Sequence, residues 1–135
     1  MYRKFPMLAG LAVALMVAGC GSSDLMRVTG KVLKDGQPFT VAEGQWLQVH
    51  LFPIEAGAAN PNIYLANIDK DGSFEFPGGE GQGVPKGKYK VTAKLVTYKD
   101  RDTDLLKKRF NEENSKIIAD ANGSTSVTLD LSDAK

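Results

Sequence analysis

Cysteine and histidine are almost missing from this chain: Cys20 and His50 are the only examples of each among 135 residues. A disulfide framework needs paired cysteines and a structural zinc site needs about four sulfur or nitrogen ligands, so neither holds the fold together. An excess of one charge is missing too. Seventeen Lys and Arg stand against sixteen Asp and Glu, a formal charge of +1, whereas a nucleic-acid binder needs a basic surplus on one face. Internal repeats and low-complexity tracts are also absent. What is present, 42% apolar and 24% charged residues, suits one domain with an ordinary core. No metal and no cofactor is expected.

The longest apolar run is short. Arg3 and Lys4 precede it, and residues 5–18 are apolar apart from Pro6 and Gly10. About fourteen residues fall below the roughly 20 that a membrane-crossing helix requires, so the run reads as the core of a secretory signal. Val17-Ala18-Gly19-Cys20 resembles the bacterial lipobox. That resemblance implies cleavage after Gly19, a diacylglycerol on the Cys20 thiol and fatty acylation, for instance by palmitate, of the new amino group. Residues 1–19 are then a signal peptide, 20–24 a lipidated tether, and 25–135 the folded domain. Two or three acyl chains anchor stably, because each buried methylene contributes about 0.8 kcal/mol and a single chain is marginal. Cys20 is consumed as a thioether, leaving no free thiol. The expected location is a membrane surface of the cell envelope, periplasmic or outer-membrane facing.

The remainder reads as strands. Residues 25–33 alternate Val28, Gly30 and Val32 against Arg27, Thr29 and Lys31, the pattern of a half-buried strand. Asp35-Gly36 supplies a tight turn. Residues 45–52 place Leu47, Val49 and Leu51 inward and Trp46, Gln48, His50 and Phe52 outward. Residues 63–68 and 73–76 form a hairpin about Asp69-Lys70-Asp71-Gly72. Five glycines and two prolines in 77–87 exclude a helix or central strand there. Residues 88–98 are the strongest strand, and 117–119 and 126–131 complete the set around Asn122-Gly123. Residues 101–113 fit either a short helix, with Leu105, Leu106, Arg109 and Phe110 on one face, or a polar crossing loop. Seven strands with turns between them predict an all-β antiparallel sandwich.

Val28-Thr29-Gly30-Lys31-Val32, Asp35-Gly36-Gln37-Pro38, Leu51-Phe52-Pro53, Asp69-x-Asp71-Gly72-Ser73-Phe74 and Gly83-Val84-Pro85-x-Gly87-x-Tyr89-x-Val91 follow in order. Together they resemble the transthyretin-like, or carboxypeptidase-regulatory-like, domain of small bacterial lipoproteins. The resemblance implies a seven-stranded antiparallel Ig-like (prealbumin-like) sandwich serving as an accessory or display module, without catalytic activity. Phe110 departs from the tyrosine-containing stretch of that family. Gly87 and Tyr89 suggest a tyrosine corner, with the ring buried and the hydroxyl bonded to backbone.

Several constellations invite chemistry. Asp69, Asp71, Ser73 and Glu80 occupy positions one, three, five and twelve of a calcium loop, but position six is Phe74 instead of the required glycine; a plain hairpin turn is expected. His50 stands outside any nucleophile motif and reads as a surface residue. Lys86, Lys88, Lys90 and Lys94, with Lys107, Lys108 and Arg109, could approach anionic lipid at about 1 kcal/mol per cation, though a solvated face protecting sheet edges is the simpler expectation. Lys31, Glu80 and Asp130 lie at places suited to an intramolecular isopeptide bond, but Lys31 and Asp130 are expected to point outward. Trp46, Phe39 and Phe52 could form a sugar-stacking platform with Gln48 and His50; coverage of that face by Leu105, Leu106 and Phe110 is the favoured alternative.

The resulting expectation is a lipid-anchored envelope module, binding or structural and not an enzyme. Its partners would be the membrane, through the anchor, and an envelope protein or glycan, not nucleic acid. A carbohydrate-binding accessory protein is the second choice.

Overall fold

The structure, a computed structural model, describes residues 25–54 and 62–132. The expected signal peptide, Cys20 and the expected tether lie outside the described residues. Eleven strands and no helix appear among them: β1 (Leu25–Met26), β2 (Val28–Lys34), β3 (Gln37–Pro38), β4 (Gln45–Pro53), β5 (Tyr64–Leu65), β6 (Asn67–Ile68), β7 (Ser73–Phe76), β8 (Val84–Pro85), β9 (Gly87–Thr97), β10 (Ile118–Ala121) and β11 (Thr125–Asp130). One sheet has the order β10-β9-β4-β5, a second the order β11-β2-β7-β6 with β3 beside β2, and β1 pairs β8 separately. The described residues are therefore all-β, with open sheets and no barrel.

Two sequence expectations need correction. Seven strands become eleven because long extended segments divide between sheets. Ala66 donates its N–H to Val49 at 2.9 Å on one sheet, and the next residues, Asn67 and Ile68, pair with Glu75 and Phe74 on the other. In the same way Arg27 separates β1, on β8, from β2. Such corner crossings are how one strand serves two sheets. Nor is the pairing wholly antiparallel: β11 runs parallel to β2 over six registered pairs, Thr125–Val28 to Asp130–Leu33. An alternating strand satisfies either direction equally, since alternation fixes which face is buried and not which way the neighbour runs.

The longest pairing, β4 with β9, aligns nine residues from Gln45–Thr97 to Pro53–Tyr89. Leu47, Val49 and Leu51 point inward with Val91, Ala93 and Leu95, and meet Val28, Val32, Phe74, Phe76, Val127 and Leu129 of the second sheet in one core. Phe76, Leu51 and Leu129 are the largest side chains wholly removed from water. Burying each contributes about 1.5–3 kcal/mol before conformational entropy is set against it.

Gly30 is the point of closest approach. It pairs with Phe74 across the β2–β7 ladder, and a Cβ there would overlap both the Phe74 ring and the Val127 carbonyl. The glycine is a seat for that ring. Phe74 in turn meets Phe76 edge-on, centroids 5.6 Å apart, a favoured aromatic geometry.

Tyr89 fulfils the corner role. Its ring is 4% exposed, lies edge-on to Tyr64 at 6.0 Å, and its hydroxyl donates to the Pro85 carbonyl at 2.5 Å. Burial, helped by the neighbouring Tyr64, pushes the phenol pKa up to about 12.

Gly30→Ala is expected to destabilise by about 1–3 kcal/mol through overpacking, whereas Gly123→Ala, with open space around it, should stay within about 0.5 kcal/mol; urea denaturation distinguishes them. Tyr89→Phe should cost about 1 kcal/mol at neutral pH. An unfolded tyrosine ionises near pH 10. Above that pH the unfolded chain loses its proton before folded Tyr89 does, so stability falls as pH rises from about 10 towards 12. Melts across that range should show a shallower fall for Tyr89→Phe.

Candidate functional site

β10 covers only the first four residues of the outer edge of β9, Gly87 to Lys90. Beyond Lys90 the backbone groups need other partners, because buried amides and carbonyls are nearly always paired. Residues 104–117 provide them without forming a strand. Val91 N–H donates to Ile117 O at 2.9 Å, Ala93 N–H to Phe110 O at 2.9 Å, and Leu105 N–H to Leu95 O at 2.8 Å. Leu95 N–H goes to the Asp104 carboxylate at 3.1 Å, and the buried Ser115 hydroxyl donates to Val91 O.

Asp104 does more than close the edge. Its carboxylate also accepts from Leu106 N–H at 2.9 Å and Lys108 N–H at 3.0 Å. Side-chain bonds of this kind compete with helical backbone bonds. Of the two readings of 101–113, the structure selects the loop: a chain of turns in which Lys107 and Lys108 both take positive φ, 56° and 60°. Upstream, Asp100 accepts from Asp102 and Thr103 N–H at 3.0 and 3.1 Å. The bonds from Thr103 lead the influences that hold its carboxyl below the ordinary aspartate range.

The segment crosses the outer face, as favoured, but its apolar side chains are not what covers it. Leu106 and Phe110 enter the core shared by the two sheets, and Leu105 stays exposed. Arg109 reaches across, its guanidinium donating to Leu106 O at 3.1 Å and Leu131 O at 3.2 Å while lying 5.6 Å from the Phe110 ring. The segment is held over the outer face by lysines: Lys90 Nζ donates to Glu112 O at 2.8 Å and Lys94 Nζ to Arg101 O at 3.0 Å. These members of the anticipated basic strip are structural ties, and the expectation of a freely solvated strip is revised for them.

Between the lysine ties lies a cleft of about 520 Å³, floored by Gln48, His50, Phe52 and Thr92 and walled by Asp102, Lys108, Asn111 and Glu113. His50 is half-buried beside Phe52, centroids 6.2 Å apart, and desolvation lowers its pKa. It therefore offers neutral imidazole at physiological pH. Amide, imidazole, carboxylate and ring edge together suit hydrogen bonding to a small polyhydroxylated or amide-bearing molecule.

Trp46 belongs elsewhere. It lines a separate groove of about 770 Å³ with Thr40, Val41, Glu43 and the 65–70 stretch, and Arg101 stands 5.9 Å from its ring centre, within cation–π range. Phe39 packs against the core. The three aromatics therefore do not form one platform.

The other constellations resolve structurally. Asp71 accepts from the Ser73 hydroxyl at 2.5 Å and Ser73 N–H at 3.0 Å, and Gly72 N–H closes on Asp69 O at 3.0 Å: this is the hairpin turn. No group of three or more metal-ligating acids, cysteines or histidines gathers among the described residues. Lys31 and Glu80 are exposed, and the Asp130 carboxylate accepts from Ser132, so the three are not brought together.

Comparison with family models, with curated proteins and with solved structures gives no match.

Asp104 escaped the sequence reading. A signal existed in the crowding of Asp100, Asp102, Asp104, Asn111 and Asn114 into one short segment, since Asp and Asn bond local backbone and favour turns over helices. Asp104→Ala should lower stability by about 2–3 kcal/mol, because it leaves buried amides unpaired. Hydrogen exchange at Leu95 and Leu106 should quicken more than at Val49.

Proposed function

We propose that this chain is a lipid-anchored module of the cell envelope that binds or supports a partner and is not an enzyme. The observation that carries the reading is the coincidence of Arg3 and Lys4, a short apolar run and the chain's single cysteine, with the first described strand beginning at Leu25, five residues after Cys20. Within this reading the domain is a prealbumin-like sandwich of the transthyretin-like kind, the two main sheets being its layers, and it faces the periplasm or the outer membrane. The polar groups around His50 support recognition over catalysis, since Asp104, Lys94 and Lys90 are already bonded to backbone.

A second reading, carbohydrate binding, is favoured by the His50 cleft, where a ring edge, an imidazole and two amides line one concavity. It shifts the sugar site from Trp46 to Phe52 and His50.

Mass spectrometry of the native protein should find a mature chain starting at Cys20, carrying a diacylglycerol thioether and an acylated amino group. An unmodified thiol with residues 1–19 attached overturns the proposal. Titration with envelope glycans should move the His50 imidazole resonances if the cleft takes sugar; unchanged resonances remove that second reading.

A further inference from the structure

Among the exposed large apolar side chains of the described residues, Ile54, Ile63 and Ile118 lie at one end of the four-stranded sheet, while Trp46, Leu65, Tyr98 and Leu105 lie elsewhere. Ile118 registers beside Lys90 and Lys90 beside Phe52, making one row across β10, β9 and β4 on the face turned away from the core. Ile54 donates its N–H to Lys88 O at 3.1 Å and begins the next row towards the end of the sheet. Ile63 immediately precedes β5, whose Tyr64 registers beside Leu51. Ile54, Ile63 and Ile118 are 45, 53 and 48% exposed. Together with Phe52 they form an apolar tip on the four-stranded sheet, at the end where β9 begins. Exposed apolar residues that gather, as these do, mark interaction surfaces.

The chain enters the domain at the same end. Leu25 pairs with Pro85, two residues before the start of β9. Five residues from Cys20 to Leu25 can span at most about 17 Å, so an acylated Cys20 holds this end of the domain against the bilayer. We infer that the Ile54, Ile63 and Ile118 tip docks on the lipid surface, its side chains inserting at the headgroup level so that the domain rides in a fixed attitude with Trp46 pointing away. The inference rests on the anchor proposed above. Lys88 at this end registers beside Asp120, and the exposed groups of the tip are apolar, so insertion and not charge carries the docking. Added salt should leave it unchanged.

The test uses the native lipidated chain in vesicles of phosphatidylethanolamine and phosphatidylglycerol, with and without brominated acyl chains that quench tryptophan on contact. Trp46 is the internal control, about 20 Å from Phe52 along β4. Ile118→Trp and Ile63→Trp, each combined with Trp46→Phe, report from the tip, and unchanged thermal melts in detergent verify their folding. Expected are strong quenching and a blue shift at positions 118 and 63, neither altered by 0.5 M salt, and no quenching at Trp46. Lipidated protein with unquenched tip reporters overturns the docking and leaves the anchor standing. Equal quenching at Trp46 overturns the fixed attitude. Concentration-dependent dimers whose contact covers position 118 assign the tip to a second copy and overturn it likewise. A Cys20 without acyl chains by mass spectrometry overturns the anchor itself, and with it the choice of a membrane as occupant.

Discussion

Strand β9 is the longest among the described residues, yet a neighbouring strand accompanies only its first four residues on the outer edge. The need to satisfy Val91, Ala93 and Leu95 beyond that point shapes much of the rest. Residues 104–117 meet it with two backbone carbonyls, a backbone amide, a serine hydroxyl and one carboxylate. Because the segment must follow the edge, it drops Leu106 and Phe110 into the gap between the sheets and lifts its polar side chains over the outer face. The cleft at His50 is the space left beneath that bridge. An uncovered edge is also an invitation to pair with another chain, and the same residues remove it.

The opposite side of the core is closed by more economical means. A single turn of chain at Ala66 leaves one sheet and joins the other, so β5 and β6 form a hinge line joining the two layers. One side is thus sealed by continuity and the other by side-chain chemistry. The second is the more specific, since it depends on particular acceptors at particular positions.

Legibility in the sequence divides along the same line. The alternation of Leu47, Val49 and Leu51, and of Val28, Gly30 and Val32, identified the buried faces, because a period of two is a property of one strand alone. Tyr89 and the turn at Asp69 to Gly72 were legible for a similar reason: their bonds fall within four residues. The parallel direction of β11 and the bond from Leu95 N–H to Asp104 were not. Each depends on a partner brought near by the fold, and local pattern carries no record of it. The cleft was half legible: Gln48, His50 and Phe52 were placed on one face, but the walls come from the segment whose path could not be read. The grouping of Trp46 with Phe52 failed because shared parity along a strand does not bring residues into the same concavity.

The parallel pairing of β2 with β11 joins the first long strand to the last, about a hundred residues later. Contacts so distant in sequence form slowly, since the intervening loop must close before they repay it. The second sheet cannot acquire its edge strand until almost all of the polypeptide is free to move. Until then β2 keeps one edge open, so the first long strand waits for the last before the second sheet is complete.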